Sequence, residues 1–156
     1  MGIFKTIVRN HIMENTDMRE RLIIVPVKNE WSLVLDRLHS LNDKDKDYLA
    51  INKKWQTIRD NLKRNVHIYI LRDGDEIVGM FRESGRPNGF HMLEEFVIFP
   101  EYRGKGYSNI MMKFYVDNFP KSCAKTFKEN AKMNSLLSKY GFEHDDGKRI
   151  LNWVRS

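Results

Sequence analysis

The chain has 156 residues, 41% of them hydrophobic, and carries 27 Lys and Arg against 21 Asp and Glu, a formal net charge of +6 at pH 7. That length and apolar content suit a single domain over residues 1–156 with a proper core, and no apolar run approaches the about 20 residues that would span a bilayer, which leads to the expectation of a soluble, cytoplasmic protein. A single cysteine, Cys123, excludes an internal disulfide framework and does not suggest a metal site; a buried strand position is expected for it.

Residues 1–20 carry Phe4, Val8 and Ile12 at four-residue intervals with Ile3 and Ile7 beside them, the pattern of a short amphipathic helix or an arm that covers an exposed edge, joins a second copy in a homodimer, or is an ordinary docked terminus. Leu22 to Val27 has strand composition, and Asn29 is placed to cap a helix with Trp31, Val34, Leu35 and Leu38 on one face. Asn42 to Asp47 is polar and charged and reads as a loop. Ile51, Trp55, Ile58 and Leu62 then mark another amphipathic helix. Val66–Leu71 and Glu76–Glu83 read as an antiparallel hairpin around Asp73-Gly74. After the turn 85–89 comes a long strand, Phe90 to Phe99. A helix with Ile110, Met111, Phe114 and Asn118 on one stripe is stopped by Pro120. A strand over 122–128, a helix after Asn130 burying Met133, Leu136, Leu137 and Tyr140 before Gly141, and a final strand around Arg149–Val154 complete the chain.

The most informative segment is Arg103-Gly104-Lys105-Gly106-Tyr107-Ser108, between the apolar strand ending in Phe99-Pro100 and the helix beginning near Tyr107. A glycine-containing cationic turn from strand to helix suits a pyrophosphate. Glycines admit close backbone approach, successive N–H groups point into one concavity, and the helix N-terminus adds positive partial charge. The remaining positive charge is scattered: Lys53, Lys54, Arg59, Lys63 and Arg64 share one helix with apolar residues, and Lys121, Lys125, Lys128 and Lys132 surround a strand and the next helix start. Neither set makes a nucleic-acid motif, so nucleic acid is not an expected partner.

Arg103-x-x-Gly106-x-Ser108 resembles motif A of the GNAT superfamily, the acyl-CoA-dependent N-acetyltransferases. Leu93 to Gly106 is similar to that superfamily's strand 4 and phosphate loop, Glu76-Ile77-Val78-Gly79-Met80 to the centre of its strand 3, and Asn130 followed eleven residues later by Gly141-Phe142 to motif B. The resemblance implies an α/β (α+β) fold with a mixed, mostly antiparallel central sheet, helices on both faces, and strands 4 and 5 splayed apart. It implies acetyl-CoA as donor and a primary amine of a small molecule or protein as acceptor, attacked directly with a carboxylate as base. The backbone amides of Arg103, Gly104, Lys105, Gly106, Tyr107 and Ser108 would hold the pyrophosphate. In the family, the amide near Val97 or Ile98 faces the acetyl oxygen, and a residue at the place of Asn130 bonds the pantetheine arm; a simple helix cap is the other role open to Asn130.

Glu94 and Glu95 are the candidate bases. Adjacent residues of a strand point to opposite faces, so only one is expected to face the acceptor. Similarity of Leu93-Glu94-Glu95-Phe96 to the Leu-Glu-Asp-Phe segment of diamine acetyltransferases favours Glu94, with a pKa expected to be raised by the cleft; His91 is a weaker third candidate. The family's motif B tyrosine is missing, because Leu137 stands in its place. Tyr140, one turn on, is the remaining phenol for a catalytic acid, though core packing fits its register better. Retention of the fold for acyl-CoA binding or assembly, with catalysis weakened or lost, is the alternative reading.

Overall fold

The computed structural model describes residues 22–156 and a short strand, Thr6–Ile7. Among the described residues eight strands form one sheet: β1 (Thr6–Ile7), β2 (Leu22–Pro26), β3 (Ile68–Asp73), β4 (Glu76–Gly85), β5 (His91–Ile98), β6 (Ser122–Phe127), β7 (Glu143–His144) and β8 (Ile150–Arg155), in the spatial order β1-β2-β3-β4-β5-β6-β8-β7. Every pair is antiparallel except β5 and β6. Helices α1 (Trp31–His39), α2 (Asp43–Tyr48) and α3 (Ile51–Arg64) separate β2 from β3. Helix α4 (Tyr107–Asn118) joins β5 to β6, and α5 (Ala131–Lys139) follows β6.

Two apolar clusters divide between the faces of the sheet. Val34, Leu38, Ile51, Ile58 and Leu62 from α1 and α3 pack on Ile70, Met80, Val97 and Phe99 on one face. Met111, Phe114 and Tyr115 of α4 and Leu137 of α5 pack on Leu71, Phe81, Leu93, Phe96 and Trp153 on the other. This is the expected mixed sheet with helices on both faces.

The feature that shapes the site is where β5 and β6 part. Their parallel pairing covers only His91↔Ser122, Met92↔Cys123 and Leu93↔Ala124. Beyond Leu93 strand β5 stays with β4 as far as Gly79↔Ile98, while β6 stays with β8 as far as Phe127↔Ile150. The two strands therefore open into a V whose vertex lies at Leu93 and Ala124, the splayed pair the resemblance implied. Gly79 holds the β4 side of the V in place: a Cβ there would lie 2.7 Å from Ile98 Cδ1 and 2.8 Å from the Val97 carbonyl oxygen, so the close approach of β4 to β5 requires glycine.

Several local expectations change. The segment expected to be a loop after Asn42 is helix α2, because the Asn42 side chain accepts a hydrogen bond from the Asp45 amide at 2.8 Å and Asp43 and Asp45 fall in the first turn, where the helix dipole favours acid. Helix α1 is entered through Glu30 rather than Asn29, with no side-chain cap. Strand β1 pairs with β2 through Thr6↔Ile24 and Ile7↔Ile23, within the segment expected to be a helix or an arm. The rest of that expectation, with Phe4, Val8 and Ile12, lies outside the described residues. Strand β7 had no counterpart in the sequence pattern.

Candidate functional site

Strand β5 supplies both ends of the site. At its C-terminal end the chain makes a short 3-10 turn, Pro100–Tyr102, then Arg103–Gly106, and enters α4. Gly104 and Gly106 have φ of 77° and 87°, left-handed values that cost an L-residue about 1–2 kcal/mol, and a Cβ at either would meet nothing within 4 Å. The turn is thus open, and Gly106 caps α4 without any side-chain bond to its first amides. Those amides, the helix dipole and the open glycines fit a pyrophosphate.

The charges of the turn are partly committed. Arg103 donates from Nε to the Ile98 carbonyl at 2.8 Å and pairs with Asp45 of α2 at 3.1 Å, so it braces α2 against the end of β5. Lys105 lies over the Tyr102 ring at 6.0 Å. The Tyr107 phenol donates to Asp73 at 2.5 Å, which ties the start of α4 to the end of β3. Ser108 sits half-buried in the first turn of α4.

Along the open edge of β5, the Phe99 amide donates to Val78 of β4 at 2.9 Å. Backbone groups alternate along a strand, so the Ile98 amide is directed away from β4 and into the V, whereas that of Val97 is directed toward β4. Of the two amides anticipated for the acyl oxygen, Ile98 has the direction. The side chain of Val97 is buried under α1 and α3.

At the vertex the sequence expectation fails in an instructive way. Phe81 pairs with Phe96 and Glu83 with Leu93, so Glu94 and Glu95 together stand opposite the single residue Arg82. This β-bulge cancels the alternation. Both carboxylates emerge on the α3 face: Lys54 of α3 lies 3.4 Å from Glu94 and 2.9 Å from Glu95, and Arg82 lies 4.0 Å from Glu94. Glu95 is fully buried and doubly bonded to Arg82, at 2.5 Å from Nε and 3.1 Å from Nη2. It is a structural ion.

Glu94 is the acid left at the mouth. Its carboxylate accepts the Ser84 hydroxyl at 2.8 Å and lies 3.6 Å from Arg86. Burial pushes its pKa up, but the Ser84 hydroxyl and the charges of Lys54 and Arg82 outweigh burial and hold it below the ordinary carboxylate value. The raised pKa expected from a cleft is therefore overturned by three neighbours that sequence distance concealed.

The other candidates lie elsewhere. Tyr140 donates its hydroxyl to Asn109 of α4, at 3.1 Å to the backbone oxygen and 3.2 Å to the side chain, and burial raises its pKa. It joins α5 to α4 and is not among the groups around Glu94. Leu137 is fully buried in the core. Asn130 caps α5, its side chain accepting the Met133 amide at 3.4 Å. His91 points Nδ1 at Glu83, 2.9 Å away, and His67 reaches the same carboxylate at 3.3 Å. Cys123 is half-buried; burial pushes its thiol up. Sequence reasoning did not find Arg82, Ser84, Arg86 and Lys54 as neighbours of Glu94. The period-2 alternation of Arg82 and Ser84 opposite a strand carrying two adjacent acids was the available signal for the first two; Lys54 comes from another element.

A sheet opened between two parallel strands, with a glycine turn at one end and a carboxylate at the vertex, leaves a cleft along the free edge of β5. The acetyltransferase (GNAT) family model matches residues 30–142, and the chain belongs to that family. An acetyltransferase from Thermus thermophilus is similar in structure, with a TM-score of 0.67, 20% identity, and 86% of this chain and 96% of that one covered. Spermidine N-acetyltransferase from Vibrio cholerae, solved with CoA and spermine, has a TM-score of 0.67 at 13% identity over 86% of this chain and 96% of that one. Arabidopsis thaliana Naa50, solved with the bisubstrate analogue CoA-Ac-MVNAL, gives 0.59 at 16% identity over 87% and 99%. No curated protein matches the sequence. Among the described residues no helix is long and apolar enough to cross a membrane.

Proposed function

We propose that the chain transfers an acetyl group from acetyl-CoA to a primary amine of a small molecule or a protein. The observation that carries this reading is the position of Glu94, one residue beyond the last β5–β6 pair, where an acyl group lying in the V would meet an acceptor. Acetyl-CoA, when bound, supplies an acetyl group activated as a thioester. The backbone of the turn from Gly104 to Ser108 would hold its pyrophosphate, and the Ile98 amide, fixed by the β4 ladder on either side, is preorganised to donate to an acyl oxygen. Arg103 stiffens the end of β5 through Ile98 and Asp45.

Glu94 is ionised at neutral pH, so its first task is to hold the acceptor as an ammonium. It then takes the proton as the amine becomes the nucleophile. A low pKa makes it a weaker base than a carboxylate poised near neutrality, and its contribution falls toward the lower end of the usual range of about 10²–10⁴-fold for general bases. No side chain is assigned to the leaving group, since Leu137 fills the core and Tyr140 serves Asn109.

The test is thiol release from acetyl-CoA by the purified chain with a panel of amines, beside the melting temperature with coenzyme A. Stabilisation by coenzyme A together with amine-dependent thiol release is the expected result. Stabilisation without release from any amine would favour the second reading, acyl-CoA binding without turnover, for which the buried Leu137 and the low Glu94 pKa speak.

A further inference from the structure

The charges around Glu94 do not balance. Glu95 and Arg82, 0% and 5% exposed, neutralise one another. What reaches the mouth of the V is one carboxylate, Glu94, 17% exposed, flanked by Lys54 and Arg86, 32% and 43% exposed. The flanking cations are positioned rather than loose. Lys54 is gripped by both carboxylates. Arg86 stands in a turn closed on itself, its amide donating to the Phe90 carbonyl at 2.8 Å and its carbonyl accepting from Gly89 at 3.0 Å. Its side chain reaches over to β6: at the Cys123 thiol, burial raises the pKa and the Arg86 charge is the foremost influence opposing it. Lys125, two residues along β6 and exposed, lies on the same face as Cys123. The acceptor mouth is therefore lined by more positive than negative charge.

We propose that the acceptor is an amine carrying an anionic group, a carboxylate or phosphate a few bonds from the nitrogen, and that Arg86 is the residue that reads that group. This rests on the acetyl-transfer reading and names its substrate class. An ammonium next to Glu94 competes for that carboxylate; Lys54 keeps Glu95 at 2.9 Å, so the cation that loses its carboxylate is Arg86, and an anionic group on the same acceptor pairs it. A polyamine instead brings second and third positive charges toward two cations already in place, a like-charge opposition that discriminates against it. Arg86 offers a planar fork suited to carboxylate or phosphate, which a lysine would not supply.

The experiment compares kcat/KM, read as thiol release from acetyl-CoA by the full chain, for acceptors matched except in charge: 4-aminobutyrate against putrescine, and O-phosphoethanolamine against ethanolamine. The anionic member of each pair is expected to be preferred by about tenfold or more; which anion gives the larger ratio separates carboxylate from phosphate. Arg86→Glu is expected to reverse the preference and Arg86→Gln to abolish it, with coenzyme A still raising the melting temperature of both. Preference for putrescine and ethanolamine, or an unchanged ratio in both variants, would overturn the charge reading while leaving acetyl transfer intact. Thiol release from none of the four, with coenzyme A still stabilising the protein, would overturn the charge reading; acetyl transfer itself falls only if the wider panel of small-molecule and protein amines is silent too.

Discussion

The two ends of strand β5 solve different problems in different ways. At the C-terminal end, Gly104 and Gly106 form a left-handed glycine turn in which a Cβ would meet nothing within 4 Å, and Gly106 caps α4 without a side-chain bond. At the vertex, Glu94 and Glu95 are hemmed in by side chains from β4, α3 and the turn after β4. A backbone site needs only a local conformation, so a few consecutive residues specify it. A side-chain site needs distant residues in register, and one bulge re-aims it. The glycine turn is consequently the robust half of the site and the bulge the tunable half.

The sharpest way to break this contrast is Glu94→Gln. The substitution keeps the Ser84 bond partner and the shape while removing the charge. Loss of about 10²-fold in kcat/KM is expected, with coenzyme A binding retained because it belongs to the other end. The acid limb of the wild-type stability curve adds an independent check. The pKa of Glu94 is lowered in the folded state from its ordinary value of 4.5, so its contribution is complete above that value and is lost as pH falls through the folded pKa. Glu94→Gln should flatten this part of the curve, read from urea midpoints between neutral pH and about pH 3. An unchanged rate would remove Glu94 from the chemistry.

The buried partner is expected to matter for folding instead. Arg82→Ala leaves the fully buried Glu95 with only Lys54, and loss of one partner of a buried pair costs about 3–5 kcal/mol. The double change Arg82→Met with Glu95→Leu is expected to recover most of that stability, since the uncompensated charge is gone. Chemical denaturation of both variants decides it; equal losses in the two would show that the pair is held by shape rather than charge. Smaller again is Gly106→Val, which forces a β-branched residue to a φ of 87° at a cost of about 1–3 kcal/mol. Its diagnostic readout is loss of the melting-temperature rise on adding coenzyme A, with thermal unfolding still cooperative.

The same contrast explains what could be read from the residue string. Elements with a strong period emerged close to their positions: the stripe Ile51, Ile58 and Leu62 became α3, and Met111 and Phe114 the buried side of α4. The turn 103–108 was legible because its information is local. Helix α2 was missed because its six residues are all charged or aromatic and bury nothing, so it has no apolar stripe, and only the Asn42 cap marks it. The facing of Glu94 and Glu95 was missed because a bulge is fixed by pairing with β4, which lies in no window around those residues. The Glu94 pKa followed from that error: with Lys54, Arg82 and Ser84 between 10 and 40 positions away, burial was the only influence visible.

The smallest expected effect concerns the phenol. Tyr140→Phe removes a hydroxyl that bonds Asn109 and sits on the α4–α5 contact, so about 0.5–1.5 kcal/mol of stability is expected to go. The rate at saturating acceptor should stay within about twofold, since no group near Glu94 depends on that bond. The raised pKa of Tyr140, caused chiefly by burial, keeps its proton in place at neutral pH in either role, so the pH profile alone does not discriminate. The split between stability and rate does. A drop of about 10²-fold or more in kcat with unchanged coenzyme A binding would mean that the hydroxyl leaves Asn109 during turnover to serve as the missing acid, and the side-chain half of the site would then extend across to α5.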